Sequence, residues 1–436
     1  MIVPTRRAVL LLAAQVPLAL LPALVRPALW ALWAAALATT AGAEMIEAVL
    51  GRSRGTASVR TQAPAALYVG EEDRLGLTLA GAWRARTEVE IRCDVDEILV
   101  APPPVRALAG PAPVQAEAVL QPRRRGKATL RAAWLRWRGP LGLLQWTQQR
   151  ELGQAIPVLP NVRAVRGAAL RFFGSRQFLS GLKVERHLGD GSEFEALREH
   201  ERGLDARAID WKASARHHKL LSREYRAERN HAVVMAIDTG HLMSEPLLGI
   251  PRLDHAINAS LLLAYVALKT GDRVGLFAFD QKVRLFAEPQ GGVRAFGRLL
   301  QQTSGLLYST AETNFTLGLL ELGQKLRRRS LVVVLTDFVD TVTAELMIEN
   351  LSRLGRGHRV VFVALRDATL DVLAAADPFD LDRLSRAVIA SDLVREREAV
   401  LARLRRLGVQ CIDGLPGAVT TQLVNRYLDL KRREMM

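Results

Sequence analysis

The densest concentration of groups able to do chemistry lies at residues 197–218, LREHERGLDARAIDWKASARHH. Arg198, Arg202, Arg207 and Arg216 alternate there with Glu199, Glu201, Asp205 and Asp210, and Trp211 follows the last acid. Ser214 near His217 and His218 invites a nucleophile–base reading, the acids Glu199 and Glu201 a general acid–base one, and the arginines an anion grip. The spacing supports no catalytic version. Ser214 has no G-x-S-x-G elbow and no glycine-rich turn for an oxyanion hole. His217 and His218 are adjacent and cannot easily share one metal on a helix face, and Glu199 and Glu201 fall on opposite sides of a strand or helix. The GDGSEF run at 189–194 lacks the G-K-S/T ending and the preceding buried strand of a phosphate loop. What remains is a polar clasp: bidentate arginine pairs with Glu199, Asp205 and Asp210, Trp211 as an apolar anchor, and one fixed domain orientation as the result. A partner-docking surface is the alternative. No catalytic residue is assigned.

The elements around this stretch fall into four segments, 1–50, 51–160, 161–230 and 231–436. After residue 230, apolar strands such as HAVVMAID (231–238), SLVVVLTDF (330–338) and RVVFVALRD (359–367) are separated by amphipathic helices. That alternation predicts a mostly parallel, doubly wound sheet with one antiparallel edge. Ligands bind such sheets at the carboxyl ends of the strands, which singles out Asp238 and Asp337. Residues 51–160 alternate apolar and polar positions in short runs broken by Gly and Pro, the pattern of an antiparallel β-sandwich.

Two apolar runs open the chain, 8–25 (AVLLLAAQVPLALLPALV) and 27–43 (PALWALWAAALATTAGA). Each is near the lower length limit for a membrane span, so the pair is read as a transmembrane helical hairpin. Arg6, Arg7, Arg52 and Arg54 flank it, which places the rest on the cytoplasmic side of an inner membrane. A signal peptide ending at AGA (41–43) is the competing reading.

The formal net charge is +15 and the isoelectric point about 10.6, values that draw acidic partners. Between Arg52 and Arg150 there are sixteen Lys and Arg against nine Asp and Glu, a net of +7. A surface facing anionic lipid or an acidic partner is expected in that segment. Nucleic acid is disfavoured, since no stacking-aromatic motif, zinc finger or basic run longer than RRR is present. Cys93 and Cys411 are the only cysteines, which excludes a disulfide framework or cysteine metal cluster.

Further motifs run in a fixed order before the first parallel strand: Gly191, Glu193 and Phe194; Leu197, Arg198 and Glu199; Gly203 and Asp205; Arg207, Ile209 and Trp211; Ser214, Ala215 and Arg216. With the later Thr313–Asn314 and Thr336–Asp337, they resemble the bacterial family called domain of unknown function 58, whose second half is similar to a von Willebrand factor A-type domain. His200, where that family has tyrosine, and Leu204, where it has an acid, depart from the pattern. The resemblance implies a membrane-anchored interaction or assembly factor with a chaperone-like or protein-maturation role beside a MoxR-type AAA+ ATPase. A metal-dependent enzyme or hydrolase, and a protein binding nucleic acid or anionic lipid, are the alternatives. It also implies a site for Mg²⁺ built on D-x-S-x-S, a threonine and a second aspartate. Asp238, Thr313 and Asp337 match that set, whereas Gly240 and Leu242 replace the serines, leaving Thr239 or Ser244 as substitutes. In the alternative, Asp238 and Asp337 cap helices and satisfy loop amides.

Overall fold

A computed structural model describes residues 1–24, 30–52, 57–81, 83, 86–174, 188–200, 209–226, 231–338, 341–375 and 380–433. The chain divides into two units, Met1–Asn161 and Val162–Met436.

The first unit begins with a short strand, β1 (Ile2–Pro4), followed by helices α1 (Arg6–Leu24) and α2 (Trp30–Arg52). Nine more strands complete it: β2 (Ser58–Gln62), β3 (Leu67–Tyr68), β4 (Asp73–Ala80), β5 (Thr87–Val95), β6 (Leu99–Val100), β7 (Val105–Ala109), β8 (Val114–Pro122), β9 (Gly126–Arg138) and β10 (Leu144–Leu159). They form one sheet in the order β1-β10-β9-β5-β7, with β3 beside β10, and a second in the order β2-β4-β8-β6. Alternate residues are buried, as in Leu75, Leu77 and Leu79 of β4 and Val89 and Ile91 of β5, the period-two pattern of strands packed on one face.

Among the described residues no helix is long and apolar enough to cross a membrane. That finding overturns the transmembrane hairpin, and with it the multi-pass inner-membrane location; the fold is mixed α/β with several antiparallel sheets. The sequence of the two helices gives the reason. α1 carries Arg6, Arg7, Gln15, Pro17 and Pro22, and α2 carries Glu44, Glu47 and Arg52. Glu47 is fully buried, and its carboxylate accepts the backbone N–H groups of Gly142 (3.0 Å), Leu143 (3.0 Å) and Leu144 (3.2 Å). Gly139 leaves room for it, since a Cβ there would lie 2.1 Å from Glu47 Oε1. The Trp33 indole donates to Gln15 O across the helix pair at 3.0 Å. β1 pairs with β10, and Thr5 N–H donates to Leu143 O. Both helices are thus tied to the sheet by polar bonds. Glu47→Ala should strand three amide donors and cost about 2–3 kcal/mol, read as a lower urea midpoint with unchanged slope.

In the second unit α3 (Val162–Gly174) leads to the ribbon β11 (Leu188–Glu199), α4 (Trp211–His217) and β12 (Leu221–Arg226). Next come β13 (Ala232–Asp238), α5 (His241–Ser244), β14 (Pro246–Leu247), β15 (Ile250–Pro251), α6 (Arg252–Lys269), β16 (Arg273–Phe279) and β17 (Val283–Gln290). The last segment holds α7 (Val293–Ser304), α8 (Phe315–Lys325), β18 (Ser330–Leu335), α9 (Thr341–Gly357), β19 (Arg359–Leu365), α10 (Ala368–Ala374), α11 (Leu381–Arg406), β20 (Gln410–Gly414) and α12 (Pro416–Arg432). The main sheet runs β17-β16-β13-β18-β19-β20. β17 is antiparallel and every other pairing is parallel.

Successive residues of β13 serve two cores. Val233, Met235 and Ile237 pack with α3, α6 and α12, and Val234 and Ala236 with α8, α9 and α11. α3 therefore belongs to this unit through Val165 and Ala169. At the amino ends of the strands the Tyr427 hydroxyl donates to Asp272 Oδ2 (2.6 Å) and Lys431 pairs with Asp272 Oδ1 (2.9 Å), which pins α12. Burial, then the Asp272 charge, push the Tyr427 phenol far above its usual range. All the strand ends opposite this lock converge on one rim.

Candidate functional site

Asp238 closes β13 and is 1% exposed. Its Oδ1 accepts Gly240 N–H at 2.8 Å and the Thr313 hydroxyl at 2.7 Å, and its Oδ2 accepts the Thr336 hydroxyl at 2.5 Å. Burial pushes this carboxyl up to about 6; the two hydroxyls and the amide pull it back, and the nearby Asp280 charge raises it further. The structure thus joins Asp238 and Thr313, and adds Thr336.

Asp337 points elsewhere. Its Oδ1 accepts Arg397 Nη1 at 2.7 Å and Phe338 N–H at 3.0 Å. Its Oδ2 lies 2.9 Å from Arg252 Nε, an ion pair rather than an aligned hydrogen bond. Arg397 also reaches Asp413 Oδ1 (2.8 Å) and Leu365 O (3.0 Å), and lies over the Phe338 ring at 5.4 Å. Arg252 approaches Glu245 (3.3 Å) and Asp367 (3.7 Å) as well. The side chains of Asp337, Arg252, Asp413 and Arg397 are only 9–17% exposed. Burial opposes charge on Arg397, yet Asp337 and Asp413 hold the guanidinium protonated beyond its ordinary range.

These residues do not fit a resident Mg²⁺. A hard divalent cation wants several free oxygen ligands in near-octahedral array. The Asp238 oxygens already accept three donors, and two guanidinium groups meet Asp337. The substitutes are committed too: Thr239 donates to Phe279 O (3.1 Å) and Ser244 to Ser309 O (2.9 Å). A serine at position 240 has no space, because a Cβ on Gly240 would lie 2.0 Å from Thr313 Oγ1. Among the described residues no group of three or more His, Cys, Asp or Glu is placed to hold a metal ion.

The rest of the rim is loops. His241 N–H donates to Ala311 O and Asn314 N–H to Asp280 O, which draws the 305–314 loop over the strand ends. Asn314 caps α8 by accepting Leu317 N–H. Beside Asp238 a cleft of about 460 Å³ is lined by Thr239, Asp280, Arg284, Leu285, Gln301 and Tyr308, among others. Asp280 is paired with Arg284 at 2.6 Å, and Tyr308 donates to Asp254 Oδ2 at 2.5 Å. Three large apolar side chains stand out around this polar centre: Leu307 (81% exposed), Leu248 (68%) and Leu317 (43%).

The clasp of 197–218 is only partly within the described residues; Gly203, Asp205 and Arg207 lie outside them. Glu193, Phe194, Arg198 and Glu199 belong to β11. Asp210 caps α4 by accepting Ala213 N–H at 3.0 Å. Trp211, expected as an apolar anchor, is 69% exposed on the first turn of that helix, and none of the described elements covers its side chain. Ser214 is buried and serves backbone, accepting Leu221 N–H at 2.9 Å. Arg216 is exposed. His200 Nδ1 lies 2.7 Å from Ser222 Oγ, a hydroxyl that is 4% exposed and closed to substrate.

The sequence points to Thr336 only as part of a motif, without its bond to Asp238, and gives Arg252, Arg397, Asp367 and Asp413 no role. One signal was available for Arg397: it shares a helical stripe with the core residues Leu401 and Leu404, four and seven positions on.

No curated protein matches the chain. Among solved structures, a conserved hypothetical protein BatB from Bacteroides thetaiotaomicron is similar at 14% identity and TM-score 0.31, over 47% of this chain and 100% of that one. Proximal thread matrix protein 1 from the mussel byssus is similar at 11% identity and TM-score 0.27, over 47% of each chain. An uncharacterised membrane spanning protein from Vibrio fischeri is similar at 15% identity and TM-score 0.17, over 46% of this chain and 98% of that one. Residues 196–405, from the end of β11 to near the end of α11, match the family described as protein of unknown function DUF58, and over these residues the chain is a member of that family.

Proposed function

We propose that this protein is an interaction and assembly factor whose 162–436 unit docks a partner protein on the carboxyl-end rim of its sheet without a metal ion, as a modified A-type module. A MoxR-type AAA+ ATPase is the partner the family resemblance implies, in a chaperone-like or protein-maturation role. The observation that carries the reading is Leu248. It sits at the tip of the β14–β15 hairpin with φ +54°, followed by Gly249 at φ +80°. Two-residue hairpins of this type favour Asn-Gly, because a left-handed backbone costs an L-residue such as leucine about 1–2 kcal/mol. A strained leucine that is also 68% exposed contributes little to its own fold, and strain of this kind is held where contact requires it.

The chemistry of the rim supports binding over catalysis. Thr239, Thr313, Thr336 and Ser244 each donate to a carboxylate or a carbonyl, and none to an imidazole that could activate it.

The test is Leu248→Asn. The substitution should raise the melting temperature by about 2–4 °C, since it relieves strain worth about 1 kcal/mol, and should weaken capture of the ATPase at least tenfold. Unchanged capture by the stabilised variant would refute rim docking.

A further inference from the structure

The first unit carries a second surface, unrelated to the rim. On the outward face of its larger sheet a groove of about 500 Å³ is bordered by Arg86, Arg106, Arg136 and Arg138, with Glu88 and Glu90 between them. The register fixes the layout: Arg106, Glu90 and Arg136 lie in one row across β7, β5 and β9. Arg138 is two residues along β9 from Arg136, on the same face. Few of these charges are matched. Glu88 and Arg106 approach at 3.5 Å, with both side chains more than 60% exposed. Among the described residues Arg86, Arg136 and Arg138 form no ion pair. Trp134 extends the same face of β9, 38% exposed, and Leu108 that of β7, 62% exposed. Arginine and tryptophan are the side chains enriched at protein-binding surfaces.

We infer that this groove binds an acidic peptide segment in extended form, from a partner protein, through Arg86, Arg106, Arg136 and Arg138. Charge complementarity selects the occupant: four guanidinium groups face two carboxylates, on a chain of net charge +15. Spacing selects the extended form. Arg136 and Arg138 are about 7 Å apart along the strand, the separation of side chains i and i+2 in an extended peptide, so alternate Asp or Glu residues meet successive guanidinium groups in bidentate pairs. Glu88 and Glu90 disfavour a nucleic acid, whose unbroken phosphate row would cross them, whereas a peptide sets uncharged residues there.

The experiment uses the full chain and a fluorescein-labelled peptide of alternating glutamate and serine with four glutamates, followed by polarisation at low salt. The peptide should bind. The double variant Arg136→Ala/Arg138→Ala should weaken binding at least tenfold with an unchanged melting temperature. Arg405→Ala/Arg406→Ala, which removes the same charge from an exposed stretch of α11, should leave it within twofold. Equal loss in the two double variants would show non-specific attraction and overturn the site. Tighter binding of an oligothymidylate of equal charge, with the same dependence on Arg136 and Arg138, would assign the groove to single-stranded nucleic acid and refute the peptide reading.

Discussion

Arg397→Ala should be the most destabilising single substitution at the rim, costing about 3–5 kcal/mol. One guanidinium serves Asp337, Asp413 and Leu365 O at 2.7–3.0 Å, so its removal leaves two carboxylates that are 9% and 16% exposed without their shared cation. Arg252 cannot compensate for both, because it reaches Asp337 and not Asp413. Urea unfolding of the second unit measures the loss. Arg397→Met should be almost as damaging despite its better packing, since the penalty comes from the stranded charges. Adding Asp337→Asn and Asp413→Asn to Arg397→Met should return most of the stability, as a neutral set no longer needs the cation. If Arg397→Met alone were neutral, the arginine lattice would not be what closes the rim.

The second large effect is a gain. Asp238→Asn should stabilise the protein by about 2 kcal/mol at pH 8 and by nothing at pH 4. The folded carboxyl titrates near 6 against an ordinary value of 3.8, so the native state holds its proton more tightly than the unfolded chain. A group raised in this way supports the fold fully below about pH 4, and that support is lost as pH climbs through about 6. Above that window the wild-type protein keeps a buried anion that costs about 3 kcal/mol at most. Asparagine removes the anion and keeps the acceptor for Gly240 N–H and Thr313. Its amide can donate to Thr336 Oγ1, whose own hydroxyl already has Asp337 O at 3.2 Å as a second acceptor. Paired melts from pH 4 to pH 8 show whether the difference opens in that interval. An asparagine variant less stable than wild type at pH 8 would mean that the Asp238 charge is used.

Strand periodicity made much of the second unit legible. HAVVMAID and SLVVVLTDF are apolar on both faces, and the structure buries both faces of β13 and β18 under helices. Asp238 and Thr313 were legible as a pair because family motifs carry them. What could not be read was direction. Thr313 follows β17 and α7 along the chain, and only the fold brings it to Asp238, 75 positions earlier. Asp337 looked like a partner of Asp238, but two arginines 85 and 60 positions away turn it toward the opposite strands. The N-terminal helices misled for a similar reason. The apolar run at 27–43 stops short of Glu47, which lies on the same helix and whose three backbone donors are Gly142, Leu143 and Leu144. In the 197–218 stretch the alternating charges suggested pairing, and the described contacts of Asp210 and Ser214 add a helix cap and a turn fastener to that picture. Short polar side chains make such local bonds wherever a turn offers amides, and charge counting does not see them.

The cation positions of the rim are filled by its own side chains, Thr313 and Thr336 at Asp238 and Arg252 and Arg397 at Asp337. Titration calorimetry of the full chain with Mg²⁺ and Mn²⁺ up to 10-fold above about 1 mM, the weak end of protein sites for such cations, tests it most directly. The expected trace is heat of dilution alone, identical in wild type and Asp238→Ala. Saturable heat in wild type that disappears in Asp238→Ala would contradict it.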